Sequence, residues 1–124
     1  MLCSCFRRVR GSRGSATAET AVLLPVLVVV LLACIGVLAS VAAQLECVDA
    51  ARAAARAAAR GDAPAEVRAT GQRLAPPGAV VELTSGDGTV EVRVRAEIQP
   101  FGRALRVLPA VVVSGRATAA AEPG

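Results

Sequence analysis

The 124-residue chain has no histidine, tryptophan, tyrosine or lysine, and only two phenylalanines. Without histidine, sites built on an imidazole base are excluded, as are most transition-metal sites. The four cysteines do not compensate. Cys3 and Cys5 are separated by one residue, too close for an ordinary ligand pair, and no CxxC spacing occurs. Cys34 and Cys47 read as small buried or lipid-facing thiols. A second option for Cys47 is an intermolecular disulfide in an oxidising compartment. Gly86-x-Gly88 has turn composition, and no helix with Lys-Ser/Thr follows it, so it is not a phosphate loop. The residues offer no nucleophile–base pair, metal cluster or cofactor motif. A non-enzymatic protein without cofactor or metal is expected.

The net charge of +4 is unevenly placed. Arg7, Arg8, Arg10 and Arg13 precede Ser15, whereas all ten acidic residues follow it, together with the other ten arginines. From Ser15 onward the chain is formally neutral. The basic excess therefore belongs to the first 14 residues, and no basic patch interleaved with aromatics supports nucleic-acid binding.

From Thr20 to Gln44 the chain carries no charge over 25 residues, and Glu19 stands at the edge of this run. A bilayer core needs about 20 apolar residues in a helix, so the run is long enough to span with some tilt. Arginines flank it on the N-terminal side and Glu46 and Asp49 on the other. The positive-inside rule then places the N-terminus in the cytoplasm and the C-terminal region outside, as a single-pass protein of the cell membrane. Pro25 removes one helical hydrogen bond and predicts a kink. Beyond the run, residues 45–60 are Ala-rich, with Arg52, Arg56 and Arg60 in one stripe and Asp49 placed to pair with Arg52. Gly61 is a natural stop. A helix unbroken from Ser15 to Arg60 would be about 69 Å long.

The expected organisation is thus a leader (1–14), a transmembrane helix (15–45), an extension of the same helix (46–60) and a small extracytoplasmic domain (61–124). In the last, Pro64 opens a short helix with Val67, Gly71 and Leu74 on one face, closed by Pro76-Pro77-Gly78. Ala79–Thr84 and the alternating Thr89–Ile98 form a β-hairpin around a Ser85–Gly88 turn. Val111–Ala117 supplies a third strand, with Ala110 to Val113 buried. A domain of this size has a marginal core, so its sheet is expected to pack on the extended helix through Leu45, Val48, Ala51 and Ala55. The fold class is α+β: a long N-terminal helix followed by a small antiparallel β region.

The stretch Gly14-Ser15-Ala16-Thr17-Ala18-Glu19-Thr20-Ala21-Val22-Leu23-Leu24-Pro25, after an Arg-rich leader, resembles the class III signal of prepilins. In detail it is similar to the TadE-like pseudopilins of tight-adherence (Flp-type, type IVb) pilus systems, over about residues 13–45. The Ala/Arg-rich Ala50–Arg60 and the Ala-rich end with Glu122 share the family's style. The resemblance implies a pilin-like fold and cleavage by a prepilin peptidase between Gly14 and Ser15 on the cytoplasmic side. It further implies that Glu19 sets subunit register against the new α-amine of a neighbour. The implied partners are that peptidase, other pilin or pseudopilin subunits, inner-membrane assembly proteins of the Tad system and the lipid bilayer. The implied function is that of a minor pilin or pseudopilin used in assembling a tight-adherence type IV pilus, either as a component of the surface pilus or only as a factor in its assembly. The chain departs from major pilins at Ser15, which is not bulky and apolar, and in its larger outer region without paired C-terminal cysteines.

Three alternatives stay open on the residues alone. Leu31-Leu32-Ala33-Cys34 loosely resembles a lipobox, but the chain remains apolar through Ala43. Val41-Ala42-Ala43 has small residues suited to secretory cleavage, but the apolar stretch is long for a signal peptide. A generic single-pass anchor is the third. Gly36-x-x-x-Ser40 and Ala39-x-x-x-Ala43 are small-residue pairs that would permit close helix contact.

Overall fold

The structure, a computed structural model, describes residues 13–121. Cys3, Cys5, Arg7, Arg8 and Arg10 of the expected leader, and Glu122 at the other end, lie outside the described residues. The order of elements is α1 (Arg13–Ala59), α2 (Pro64–Leu74), β1 (Val80–Gly86), β2 (Thr89–Ile98), a 3-10 turn (Gly102–Leu105) and β3 (Val111–Ala120). The architecture is α+β, with a three-stranded antiparallel sheet in the order β1-β2-β3. The chain divides into two units, Met1–Cys34 and Ile35–Gly124.

The described part of the first unit is helix alone. Every residue from Gly14 to Cys34 is exposed, including the large apolar side chains from Val22 to Leu32. A helix that is apolar on all sides and uncovered by protein belongs in hydrocarbon. Pro25 stands inside α1 without ending it, at the cost of the bond to the Ala21 carbonyl.

In the second unit α1 ends where sequence chemistry says it should. Gly61 has φ +82°, and Gly61 N–H donates to Ala58 O while Asp62 N–H donates to Ala57 O. These two bonds form a Schellman motif, in which glycine tolerates the left-handed conformation that closes the helix. Asp62 also pairs with Arg60 at 3.0 Å. Pro64 opens α2 at its first turn. Asp87 (φ 50°) and Gly88 (φ 74°) form the two-residue loop between β1 and β2, the left-handed pair that suits the strand twist of a hairpin.

Alternation along the strands divides the sheet into two faces. Val92, Val94 and Ala96 of β2 are buried, with Val81 of β1 and Val113 of β3 beside them. The other face is polar. There Arg93 and Arg116 are direct cross-strand partners, a repulsive placement, and Glu91 Oε1 accepts from both at 3.1 Å.

The helix surface in this core consists of Ala43, Cys47, Ala50, Ala51, Ala54, Ala55 and Ala57. This corrects the expected interface: Ala51 and Ala55 belong to it, but Leu45 points outward and is 59% exposed, and Val48 is only half-buried. The reason is the close approach of β3. A Cβ added to Gly115 would collide with the Cys47 carbonyl and the Val48 nitrogen. Strand backbone therefore lies on helix backbone, and only small side chains fit between. In the same way Gly71 of α2 leaves room for Val81, and Ala54 stands behind it. Leu74, expected on that face, is exposed. Of the segment expected to be buried from Ala110 to Val113, Val113 alone is buried; Val111 and Val112 are exposed. Strand alternation turns Val112 to the outer face.

Candidate functional site

The residues of the expected cleavage and register site all lie on the exposed start of α1. Gly14 and Ser15 are in its first turn, where the first amides have no intrahelical partner. That turn is the easiest part of the helix to unwind into an extended strand that a protease can grip. Nothing stands within 4 Å of where a Cβ on Gly14 would be. Glycine there is thus not required by packing within the described chain.

Glu19 follows Ser15 by four residues, one turn along the same face. Helical Cα–Cβ bonds tilt toward the N-terminus, so the Glu19 side chain leans back toward the turn that contains Ser15. Glu19 is exposed, and the next charged residue along the chain is Glu46. Thr20, beside it, gives its hydroxyl to the Ala16 carbonyl at 2.9 Å, which hides its polarity within the helix. Pro25 lies on the same helix, six residues beyond Glu19. The arrangement places one acid beside one peptide bond at the mouth of a long apolar helix.

Further along α1 the small-residue pairs are already occupied by the chain itself. Gly36 is covered by the Phe101 ring: a Cβ there would stand 2.8 Å from Phe101 Cζ. Ser40 donates its hydroxyl to Gly36 O at 2.8 Å, and Ala43 is buried under the sheet. Within the described chain, Gly36 and Ala43 are therefore not open to a second helix.

Cys47 is fully buried and Cys34 exposed, both as free thiols. Burial first, then the neighbouring Glu46 carboxylate, pushes the Cys47 thiol above its ordinary range. This removes the option of an intermolecular Cys47 disulfide in the folded chain. Asp49 and Arg52 pair as expected, at 3.9 Å in exposed positions, which contributes little.

Sequence reasoning missed Gln44. Its Nε2 donates to Ser114 O at 2.6 Å, and Ser114 N–H donates to its Oε1 at 3.1 Å. The amide thus occupies the open edge of β3. The one available signal was an amide at the end of a run otherwise lacking strongly polar groups.

The TadE-like protein family model matches residues 14–56, which include Gly14, Ser15, Glu19 and Pro25. A Mycobacterium tuberculosis protein named apoptosis inhibitor Rv3655c is 35% identical over 106 residues, covering 86% of this chain and 78% of the relative. No solved structure matches the chain. With its exposed apolar helix, its small α+β region and these matches, the chain is a membrane-anchored member of the TadE-like family of Tad pilus-associated proteins.

Proposed function

We propose that the protein is a minor pilin or pseudopilin matured by a prepilin peptidase and used in assembling a tight-adherence type IV pilus. Hydrolysis of the Gly14–Ser15 amide adds water across the bond, leaving a carboxylate on Gly14 and an amine on Ser15. Four arginines depart with the leader, and the remaining chain is formally neutral. The observation that carries the reading is the spacing of Ser15 and Glu19, one turn apart on an exposed helix that stays uncharged to Gln44.

A carboxylate at mid-bilayer costs about 2.5–3.5 kcal/mol on insertion scales, and less near the interface. The α-amine of a neighbouring subunit offsets that cost when helices assemble, and so ties subunit register to cleavage. In this reading the leader is cytoplasmic, and residues 61–124 are extracytoplasmic. The partners are the peptidase, other pilin-like subunits, the inner-membrane assembly proteins and the bilayer. A structural rather than enzymatic role fits a chain without histidine. The relative's name describes an effect and specifies no ligand or surface, so the family's association with pili carries the reading instead.

The test is the N-terminal sequence and intact mass of the protein extracted from membranes. A chain beginning at Ser15 supports the proposal. An uncut chain, a lipid-modified Cys34 or an N-terminus at Gln44 would each replace it with a different class of anchored or secreted protein.

A further inference from the structure

The connection between β2 and β3, together with the first residues of β3, exposes a run of large apolar side chains. Leu105, Val107, Leu108 and Val112 are all exposed, Val107 at 96%. Arg103 and Arg106 are interleaved with them and also exposed. At its start the connection is fixed to α1, because the Phe101 ring and Pro100 rest on Gly36. Gly36 lies within the uncharged run, eight residues before Gln44. The connection therefore meets the helix beside Ile35, Val37 and Leu38, which are exposed as well.

A hydrocarbon core takes about 20 helical residues. Counted from Thr20, the first residue after Glu19, twenty residues end at Ala39. Gly36 then lies within one turn of the boundary, on its apolar side. A segment seated on Gly36 reaches about 5 Å below that boundary, the depth at which interfacial segments bury apolar side chains. Arginines beside such side chains extend to the phosphates of anionic headgroups while their stems stay in the apolar layer.

We propose that residues 101–112 are a second membrane contact, a monotopic segment that dips into the leaflet from which Gln44 emerges, with lipid as its occupant. Its apolar residues lie beside Ile35, Val37 and Leu38 of α1, and its arginines complement anionic headgroups. The segment would hold the small sheet down on the bilayer rather than let it stand clear on the helix extension. This inference rests on the reading of α1 as a membrane span, and its test separates the two.

The chain has no tryptophan or tyrosine, so one introduced tryptophan reports its own surroundings. The full chain is reconstituted into phosphatidylcholine–phosphatidylglycerol vesicles with or without brominated acyl chains. Val28→Trp reports the span, Val107→Trp the connection, and Arg68→Trp the exposed side of α2. Gly71 of α2 meets α1 at Ala54, 18 residues or about 27 Å beyond Gly36. Val28→Trp and Val107→Trp are expected to emit at shorter wavelength and lose most of their emission to brominated lipid. Arg68→Trp is expected to emit as in water and keep its intensity. Quenching of Val107→Trp should increase with the phosphatidylglycerol fraction, and less so when Arg103→Gln and Arg106→Gln are added. Water-like emission from Val107→Trp, with Val28→Trp quenched, overturns the proposal. A blue shift without bromine quenching also overturns it, and identifies protein rather than lipid as the occupant. An unquenched Val28→Trp overturns the span itself, and the inference with it.

Discussion

Gln44 and Ser114, 70 residues apart, are joined by two hydrogen bonds between one side-chain amide and both polar groups of one backbone residue. The amide stands where a fourth strand would pair, and it ties the edge of β3 to the helix just past its uncharged run. Gln44→Ala should lower stability by about 0.5–1.5 kcal/mol, the net worth of such bonds at an exposed edge. Hydrogen exchange at the Ser114 amide should accelerate in this variant while the β1–β2 amides keep their protection. Equal acceleration throughout the sheet would mean that the bonds stabilise the whole fold rather than this edge.

Gly115 makes the closest approach between strand and helix, against Cys47 and Val48. The obstacle is backbone, which cannot rotate away as a flexible side chain can. Gly115→Ala should therefore cost about 1–3 kcal/mol, the usual range for overpacking. Ser114→Ala is the control, since its side chain is not part of the Gln44 contact. Denaturant unfolding in detergent should show Gly115→Ala shifted to a lower midpoint and Ser114→Ala close to the parent.

These contacts show where the sequence was legible. The hairpin was plain because valine alternates with charge from Val90 to Arg95, and Asp87-Gly88 suits a left-handed loop. The helix stop at Gly61 and restart at Pro64 rest on equally local chemistry. The buried face of the helix extension was not legible. Pattern reasoning sends the largest apolar residue inward and so chose Leu45. In an Ala-rich helix nearly every face is apolar, and the choice is made by Gly115 from far along the chain, which admits only alanine and cysteine. The pairing of Gly36 with Phe101 was hidden for the same reason: the partners are distant in sequence. That Gly14, Ser15 and Glu19 share the start of one helix was readable because they fall within two helical turns; the role proposed for them is a separate matter.

Cys47 provides a pH prediction. Its thiol is raised from the ordinary 9.0, first by burial and then by Glu46. The folded state thus favours the neutral form, and the unfolded chain ionises first. Its contribution to stability is complete below pH 9.0 and is lost as pH rises through the folded value. Melting followed from pH about 8 to about 10.5 should show a decline that Cys47→Ala reduces. Alkylation of Cys47 should likewise track unfolding rather than pH alone. Fast labelling of the folded protein at neutral pH would contradict the burial.

Gly14→Val tests the scissile bond. The site has no neighbour within 4 Å, so the larger side chain should leave the described chain's packing untouched. Valine replaces the least hindered backbone position with a side chain branched at Cβ, which adds bulk next to the bond proposed to be cut. The variant should accumulate in the membrane at its uncut mass with its C-terminal region folded. Normal processing would show that the peptidase does not read this position, or that the cut lies elsewhere.

Glu19→Ala separates insertion from assembly. Removing one carboxylate from an exposed apolar helix can only ease entry into the bilayer, so membrane levels should be unchanged or higher. Cleavage after Gly14 should also continue, because Glu19 lies one turn beyond Ser15 and contributes no atom to the scissile bond. On the proposed reading, what the variant loses is the partner for a new α-amine. An amine placed in an apolar helix bundle without a counter-ion is costly, and so is a carboxylate without its amine. Co-purification of the matured variant with other pilus subunits should therefore fall sharply. Glu19→Gln should behave like Glu19→Ala, since the contact depends on charge and not on volume. A double block with Gly14→Val should be no worse in assembly than Gly14→Val alone, because the uncut chain never exposes the amine that Glu19 would meet. If Glu19→Ala assembles normally after cleavage, the acid has no role in register, and its position at the mouth of the helix reflects only its preference for the membrane interface.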